Sequence, residues 1–308
     1  MRSVKFLLAL MLMLSTTLTA SAESVAERAG YEAFKRLVEM NSVDVDCVSK
    51  FQLIFHSPYA HSELRARGLE IPAEKFDFNN GSFEVDIAAA GKMISFDAPF
   101  YVVEDGKNFE VYFMWDDKWK KISAPDDELK DIIKQDVEKK WAMVNRAVLL
   151  GEDDTQQIVG VEFDAVKFAE HLEIDFETKE EQPATEEAKW AAQFKNYLRD
   201  ALIETKSINA TYGIDKATGR ALMIEIDLSE PLMHFLSALA GNETAIKYGA
   251  SELLGAFAST SSLKLYGAFD YAGPFDRKEF QLPKKVKKAE DITAALMSTA
   301  KTENKGTR

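Results

Sequence analysis

The chain has 308 residues, with 38 basic and 51 acidic side chains, a formal net charge of −13, 46% apolar residues and one cysteine. That acidity argues against a nucleic-acid partner and against docking on anionic lipid heads, whose phosphates would repel it. The lone Cys47 excludes an internal disulfide, so the apolar residues must supply one large core or two small ones.

In chain order, the first 22 residues read as a secretory leader. Arg2 and Lys5 form a short positive region, Phe6 to Leu14 an apolar run too short to span a bilayer, and Ala20-Ser21-Ala22 a small-x-small cleavage site. Cleavage after Ala22 predicts a mature chain of 286 residues with 36 basic against 51 acidic side chains, net −15. No cysteine follows the apolar run to take a lipid anchor, and no later run is long enough to cross a membrane. The expected product is periplasmic or secreted, without stable membrane insertion.

A helix is predicted over Ser24 to Met40, with Tyr31, Phe34, Leu37 and Val38 on one face. The period then falls to two. Val43, Val45, Cys47, Phe51, Leu53 and Phe55 alternate with Asp44, Asp46, Lys50 and Gln52, which predicts a half-buried strand with Cys47 as a small core residue. Asn79 to Ser82 is expected to open a strand carrying Phe83, Val85 and Ile87 on one face. Glu104 to Lys107 separates strands around Phe96 to Val103 and Phe109 to Trp115, and Trp115 to Trp119 is another tight turn. Short strands joined by polar turns mean an antiparallel meander. Pro125 to Trp141 reads as a helix with Leu129, Ile132, Ile133, Val137 and Trp141 in one stripe.

Two strands divided by Gly151 to Gln156 come next, the second with Val159, Val161 and Phe163 on one face. Glu173 to Lys189, acidic and holding Pro183, is an expected exposed connector, followed by an amphipathic helix with Trp190, Phe194, Tyr197, Leu198 and Ala201. The meander then restarts. Ile208, Ala210, Tyr212 and Ile214 alternate, Asp215 to Gly219 turns the chain, and Leu222, Ile224, Ile226 and Leu228 alternate on the way back. Ser262 to Asp270 and Lys278 to Leu282 are the last expected strands, and 293–308 a disordered tail.

One pattern occurs twice. Val161 to His171 and Ile224 to His234 both place Glu, an apolar residue and Asp ahead of a His seven positions on, 63 residues apart. Strand alternation puts Glu162 with Asp164, and Glu225 with Asp227, on the polar face. Each Asp also stands where a strand ends and a helix begins, a favoured capping position. The reading is a strand-to-helix turn used twice; the alternative is a metal or acid–base site from Glu162, Asp164 and His171. His56 and His61 flank a proline without a nearby acidic or cysteine ligand in sequence. There is no phosphate-binding glycine loop, nucleophile elbow, H-E-x-x-H or paired C-x-x-C. No catalytic residue, metal ligand or cofactor is assigned, and an enzyme is not expected.

Pro231 to Thr260 holds three charged residues in thirty, Glu243, Lys247 and Glu252. Leu232, Phe235, Leu236 and Leu239 make one helix face, and Ile246, Leu253, Leu254 and Phe257 a second beyond Gly241 and Asn242. Either this is a helical pair buried on the sheet, or it is an apolar lid over a cavity floored by Ile224, Ile226, Leu263 and Leu265.

Ala210 to Glu230, a strand, a D-K-x-T-G turn and an acidic-flanked return strand, and Phe275 to Ile292 resemble the bacterial lipoprotein-carrier superfamily of LolA, RseB and LppX-type proteins, closest to a secreted branch. The resemblance implies an α+β fold over 23–292: a single strongly curved antiparallel sheet, an unclosed barrel, with helices covering its concave face. Two similar halves, 41–175 and 205–282, are an accompanying expectation. It implies an exported binding protein for a lipid or other apolar small molecule; the alternative is an envelope sensor or protein-interaction domain whose partner is another envelope protein.

Overall fold

The computed structural model describes residues 25–39, 45–74, 76–89, 92–105, 108–125, 141–171 and 186–293. The leader, residues 126–140 of the helix expected over Pro125 to Trp141, most of the acidic connector and the tail from 294 onward lie outside the described residues, and Pro125 itself ends a strand.

Helix α1 spans 25–39. Strands β1 (Cys47–His56), β2 (Ala60–Ile71), β3 (Phe76–Ala89), β4 (Lys92–Asp105), β5 (Asn108–Trp115) and β6 (Lys118–Pro125) form the first meander. Then come β7 (Val144–Glu152), β8 (Gln156–Asp164), α2 (Ala165–His171), α3 (Glu186–Thr205), β9 (Ser207–Asp215) and β10 (Ala221–Asp227). The last part holds α4 (Ser229–Ala240), α5 (Glu243–Lys247), α6 (Ser251–Thr260), β11 (Ser262–Asp270) and the two-residue β12 (Glu290–Asp291).

All twelve strands join one α+β sheet in the order β12-β6-β5-β4-β3-β2-β1-β11-β10-β9-β8-β7, unclosed because β12 and β7 end it. Pairing is antiparallel except for β12 on β6. The two meanders meet where β1 pairs β11, Phe51 facing Gly267 and Leu53 facing Leu265. Sequence-distant strands are thus stitched through the centre, and the apolar face of β1 continues onto β11 and β10.

Two cores lie on opposite faces. On the inner face, α1 brings Phe34 and Val38 against Val159, Val161, Phe163, Ile208 and Ala210. Trp141 meets both Tyr31 (centroids 4.8 Å apart) and Phe34 (5.7 Å). On the outer face, Val48, Leu69, Ile71 and Phe78 pack against Phe280.

Several expectations are corrected. Asn79 to Ser82 opens no strand; it lies mid-way along β3, with Asn80 paired to Arg67 and to Tyr101. Pairing on both sides overrides the local turn preference. A Cβ on Gly81 would sit 2.2 Å from the Arg65 carbonyl oxygen, so close packing explains the glycine. Strand β1 begins at Cys47, two residues after Val45. Strand β2 has no apolar alternation to announce it, because Arg65, Arg67 and Glu63 face outward opposite Leu64, Ala66 and Gly68. Lys278–Leu282 is no strand: Arg277–Phe280 is a short 3-10 turn, begun by Asp276 Oδ1 accepting from Lys278 N (2.9 Å). Phe280, with Phe275 and Leu282 beside it, anchors this segment on the outer face. Glu186 to Lys189, expected in the connector, belong to α3.

Candidate ligand-binding hollow

Paired residues of a ladder share a face, so register builds the inner surface rung by rung. One rung runs Ala66, Phe51, Gly267, Ile224, Tyr212, Val159, Leu149 across β2, β1, β11, β10, β9, β8 and β7. The next runs Leu64, Leu53, Leu265, Ile226, Ala210, Val161, Ala147. Neither rung holds a charged side chain. Gly267 leaves a gap between Phe51 and Ile224, where a Cβ would lie 3.1 Å from the Phe51 ring.

Helix α1 roofs this floor. Gly30 lets it approach closely, since a Cβ there would stand 2.5 Å from the backbone nitrogen of Leu149 on β7. One turn on, Phe34, Leu37 and Val38 face the sheet, and between roof and floor is a hollow of about 600 Å³. That is within the usual range for small-molecule sites. Its body is lined by Phe163, Tyr212, Ile224, Ile226, Leu265 and Phe269. Phe34 packs on Tyr212 (5.0 Å) and Phe163 (6.0 Å), and Phe51 on Phe269 (5.6 Å).

The two ends differ. At one are Cys47, Ser49, Glu70, Arg220 and Tyr271. Burial, with the Glu70 charge adding to it, pushes the Cys47 thiol up to about 11, and burial pushes the Tyr271 phenol to about 12. Tyr212, deeper in, is also held well above its ordinary range by burial. At the other end stand Phe168 and Leu228, which also line a second cavity of about 210 Å³. That side pocket lies among α2, α3 and α4, lined by Leu198, Leu202, Ile208, Pro231, Leu232, Phe235 and Leu263.

The residues singled out from sequence divide. Ile224 and Ile226 line the hollow; Leu232 and Phe235 line the side pocket. Leu236, Leu239, Ile246, Leu253, Leu254 and Phe257 line neither cavity. Phe257 instead meets Tyr59 (5.6 Å), while Ile246 and Leu253 are exposed. The roof of the hollow is therefore α1, not the stretch from Pro231 to Thr260. That stretch follows β10 and packs as α4 against α3 and α6 beyond the Leu228 end, with Phe235 on Phe194 (4.9 Å) and Asn242 Nδ2 donating to the Tyr197 hydroxyl (2.6 Å). Phe34, Leu37 and Val38 had an apolar helix face as a signal, and Phe163 and Tyr212 an alternating one. Nothing local marks Arg220 or Tyr271.

The repeated motif is a pair of strand-to-helix turns. Asp164 Oδ1 accepts from Lys167 N at the start of α2, and Asp227 Oδ1 from Ser229 N at the start of α4, both at 2.9 Å. Glu162 sits opposite Arg146 and Asn209, and Glu225 Oε1 accepts from Lys264 Nζ (2.9 Å). His234 Nδ1 lies 3.0 Å from Glu204 Oε2. The His171 side chain lies outside the described residues. His56 and His61 are cross-strand partners with ring centroids 6.0 Å apart. Among the described residues no group of three or more His, Cys, Asp or Glu is placed to hold a metal ion. No helix among them is long and apolar enough to cross a membrane.

The outer face carries a more open basin of about 530 Å³, lined in part by Lys50, Gln52, Arg65, Arg67, Asn80 and Tyr101. Its two arginines are paired: Arg65 with Glu63 (2.6 Å) and Glu84 (3.1 Å), Arg67 with Glu279 (3.2 Å). The Arg65 guanidinium holds the Glu63 carboxyl below its ordinary range.

No protein-family model and no curated protein matches the sequence. In fold the chain is similar to LprF from Mycobacterium bovis, at 9% identity and a TM-score of 0.40 over 83% of this chain and 97% of that one. It is similar to the lipoprotein LppX of Mycobacterium tuberculosis, at 10% identity and a TM-score of 0.36 over 81% and 98%. A DUF1329 family protein from Desulfovibrio piger is similar at 10% identity and a TM-score of 0.26 over 83% and 97%.

Proposed function

We propose that the chain is an exported, soluble binding protein that carries a lipid or other apolar ligand in the cell envelope, held between α1 and the inner face of the sheet. The observation that carries this is the hollow of about 600 Å³ whose body, between Phe34 on α1 and Phe163, Ile224, Ile226, Leu265 and Phe269 on the sheet side, is apolar. An acyl chain gains about 0.8 kcal/mol per buried CH₂, so such a site needs shape and apolar walls rather than reactive groups. The leader read from residues 1–22 supports the export half of the reading. The test is to purify the native protein, extract it with organic solvent and identify co-purified lipid by mass spectrometry, alongside titration with an apolar fluorescent dye. Stoichiometric lipid, or dye binding displaced by lipid, is expected. A protein that carries no lipid and binds no dye would overturn the reading.

One observation favours a second reading, an envelope sensor or protein-interaction domain. Ile246, Tyr248 and Leu253 are 60%, 75% and 53% exposed on the α5–α6 hairpin, an apolar patch of the kind that marks contact sites.

A further inference from the structure

We propose that the hollow takes a long-chain amphiphile with one anionic oxyacid head, the head at Arg220 and the tail passing between Phe168 and Leu228 into the side pocket beneath α4. This rests on the binding-protein reading and adds the ligand class and its orientation.

The polarity of the walls comes first. Among the described residues lining the hollow, Arg220 is the only cation. It directly follows Gly219, whose positive φ of 75° closes the β9–β10 turn, and its carbonyl oxygen accepts from Asp215 N (2.9 Å), so its backbone is held. Its guanidinium carbon lies 5.5 Å from the centre of the Tyr271 ring, which places the charge at the polar end. The nearby Asp215 carboxylate accepts, through Oδ1, from Thr218 N and Thr218 Oγ1 (both 2.6 Å); these bonds come first, and the Arg220 charge last, in holding it below its ordinary range. A guanidinium is a planar fork of donors that matches a carboxylate or phosphate, and a partly desolvated one binds such a group more strongly than it would in water. Ser49 adds a hydroxyl at the same end. Glu70 lines that end too, and its negative charge disfavours a head bearing more than one.

The opposite end accepts no head. All ten residues lining the side pocket are apolar. A charged group there would lose its hydration and find no partner, so only a hydrocarbon tail fits. The two cavities share Phe168 and Leu228, so the side pocket adjoins the hollow and these two side chains stand where a tail would pass. From Ala221, beside Arg220, to Asp227, just before Leu228, β10 advances roughly 20 Å at ~3.3 Å per residue, the scale of an extended long acyl chain. Head and tail sites therefore lie at opposite ends of one strand, and a ligand of the proposed class spans them.

The experiment titrates the intact mature protein with stearic acid, octadecyl phosphate and methyl stearate, by dye displacement. The free acid should bind about tenfold or more tightly than its methyl ester. Arg220→Gln should remove that difference by weakening the acid while leaving the ester unchanged; Arg220→Lys should restore part of it. Octadecyl phosphate, which carries close to a second charge at neutral pH, should bind more weakly than the acid because of Glu70, and a preference for the phosphate over the acid would overturn the single-charge head. Leu232→Phe and Leu232→Trp, which fill the side pocket, should weaken stearic acid about tenfold and leave the shorter decanoic acid unchanged, with denaturant midpoints reporting that both variants fold. Equal affinity for acid and ester, or an equal loss of both in Arg220→Gln, would overturn the head assignment while the binding-protein reading stands. Equal weakening of long and short acids by the Leu232 variants would overturn the tail assignment. Failure of the dye and of every ligand to bind would remove both the proposal and the reading beneath it.

Discussion

The thiol of Cys47, at the start of β1, and the phenol of Tyr271, just past the end of β11, stand together at the polar end of the hollow. Burial raises the pKa of each. Cys47 is 5% exposed and faces the hollow rather than solvent. At neutral pH it should therefore label slowly with a thiol reagent, and the rate should climb toward pH 11 rather than levelling off above 9.0. A bound ligand should slow labelling further. Fast labelling at pH 7 would place Cys47 off this face.

The same pair sets an alkaline stability slope. An unfolded thiol ionises near 9.0 and the folded one near 11, so across that window the unfolded chain has already lost a proton that the folded chain keeps. Stability from this source is complete below about 9 and falls as pH rises, and Tyr271 acts in the same direction up to about 12. Denaturant midpoints measured on either side of pH 9 should show the decline, and Cys47→Ala should lessen its slope.

Gly30 sets the height of the roof. In Gly30→Ala the new methyl would meet the Leu149 nitrogen at 2.5 Å and the Val148 backbone as closely, atoms that cannot swing aside. Forcing α1 off the sheet should cost about 1–3 kcal/mol. Because Phe34, Leu37 and Val38 ride on the same helix, dye affinity should change along with stability. Unaltered stability and affinity together would show that α1 does not sit against β7.

Glu63 is 6% exposed on the outer face, accepting from Arg65 Nε and Nη2 (both 2.6 Å) and from Gln52 Nε2 (3.0 Å). The Arg65 contacts hold its carboxyl below the ordinary value of 4.5. Its contribution is present above that value and lost as pH falls through the lowered one. Glu63→Gln should cost about 1 kcal/mol at neutral pH, a modest figure because Arg65 is half exposed. The variant should also lose less stability than the parent on acidification. Ligand affinity, read by dye titration, should not move, since the carboxylate is on the face away from the hollow.

Glu162 and Glu225 lie on that outer face as well. Glu162→Gln and Glu225→Gln should each change stability by less than about 1 kcal/mol, the range of a partly exposed ion pair such as Glu225 with Lys264, and leave ligand binding intact. Loss of binding with the fold preserved would reinstate the acidic motif as part of a site.

Much of the strand pattern was legible in the sequence. Alternation marked the inward faces of β1, β8, β9 and β10, and turn residues marked the β5–β6 and β9–β10 hairpins. The former turns at Asp116 and Asp117 with φ of 49° and 58°. Asp164 could be read as a helix start because a cap is a local device, made by one side chain and the backbone three residues on; the Asp227 side chain reaches only Ser229 N, and Leu228 takes the cap position of α4 without a side-chain bond. The hollow was not legible in the same way. Three of its lining residues, Ile224, Ile226 and Leu265, were marked as inward, but nothing in the apolar face of α1 said that it lies over them.

The sequence by itself determined which side of each strand is apolar, where most hairpins turn, and that Cys47 faces inward, because each depends on neighbours a few positions away. Only the tertiary structure decided that β1 pairs β11, that α1 rather than α4 lies over the floor, that Phe280 closes the outer face, and that Arg220 and Tyr271 meet at one end of the cavity. Periodicity records that a face is buried but carries no label for its partner. The partner is settled by register across strands far apart in the chain, and by how closely one glycine lets a helix approach.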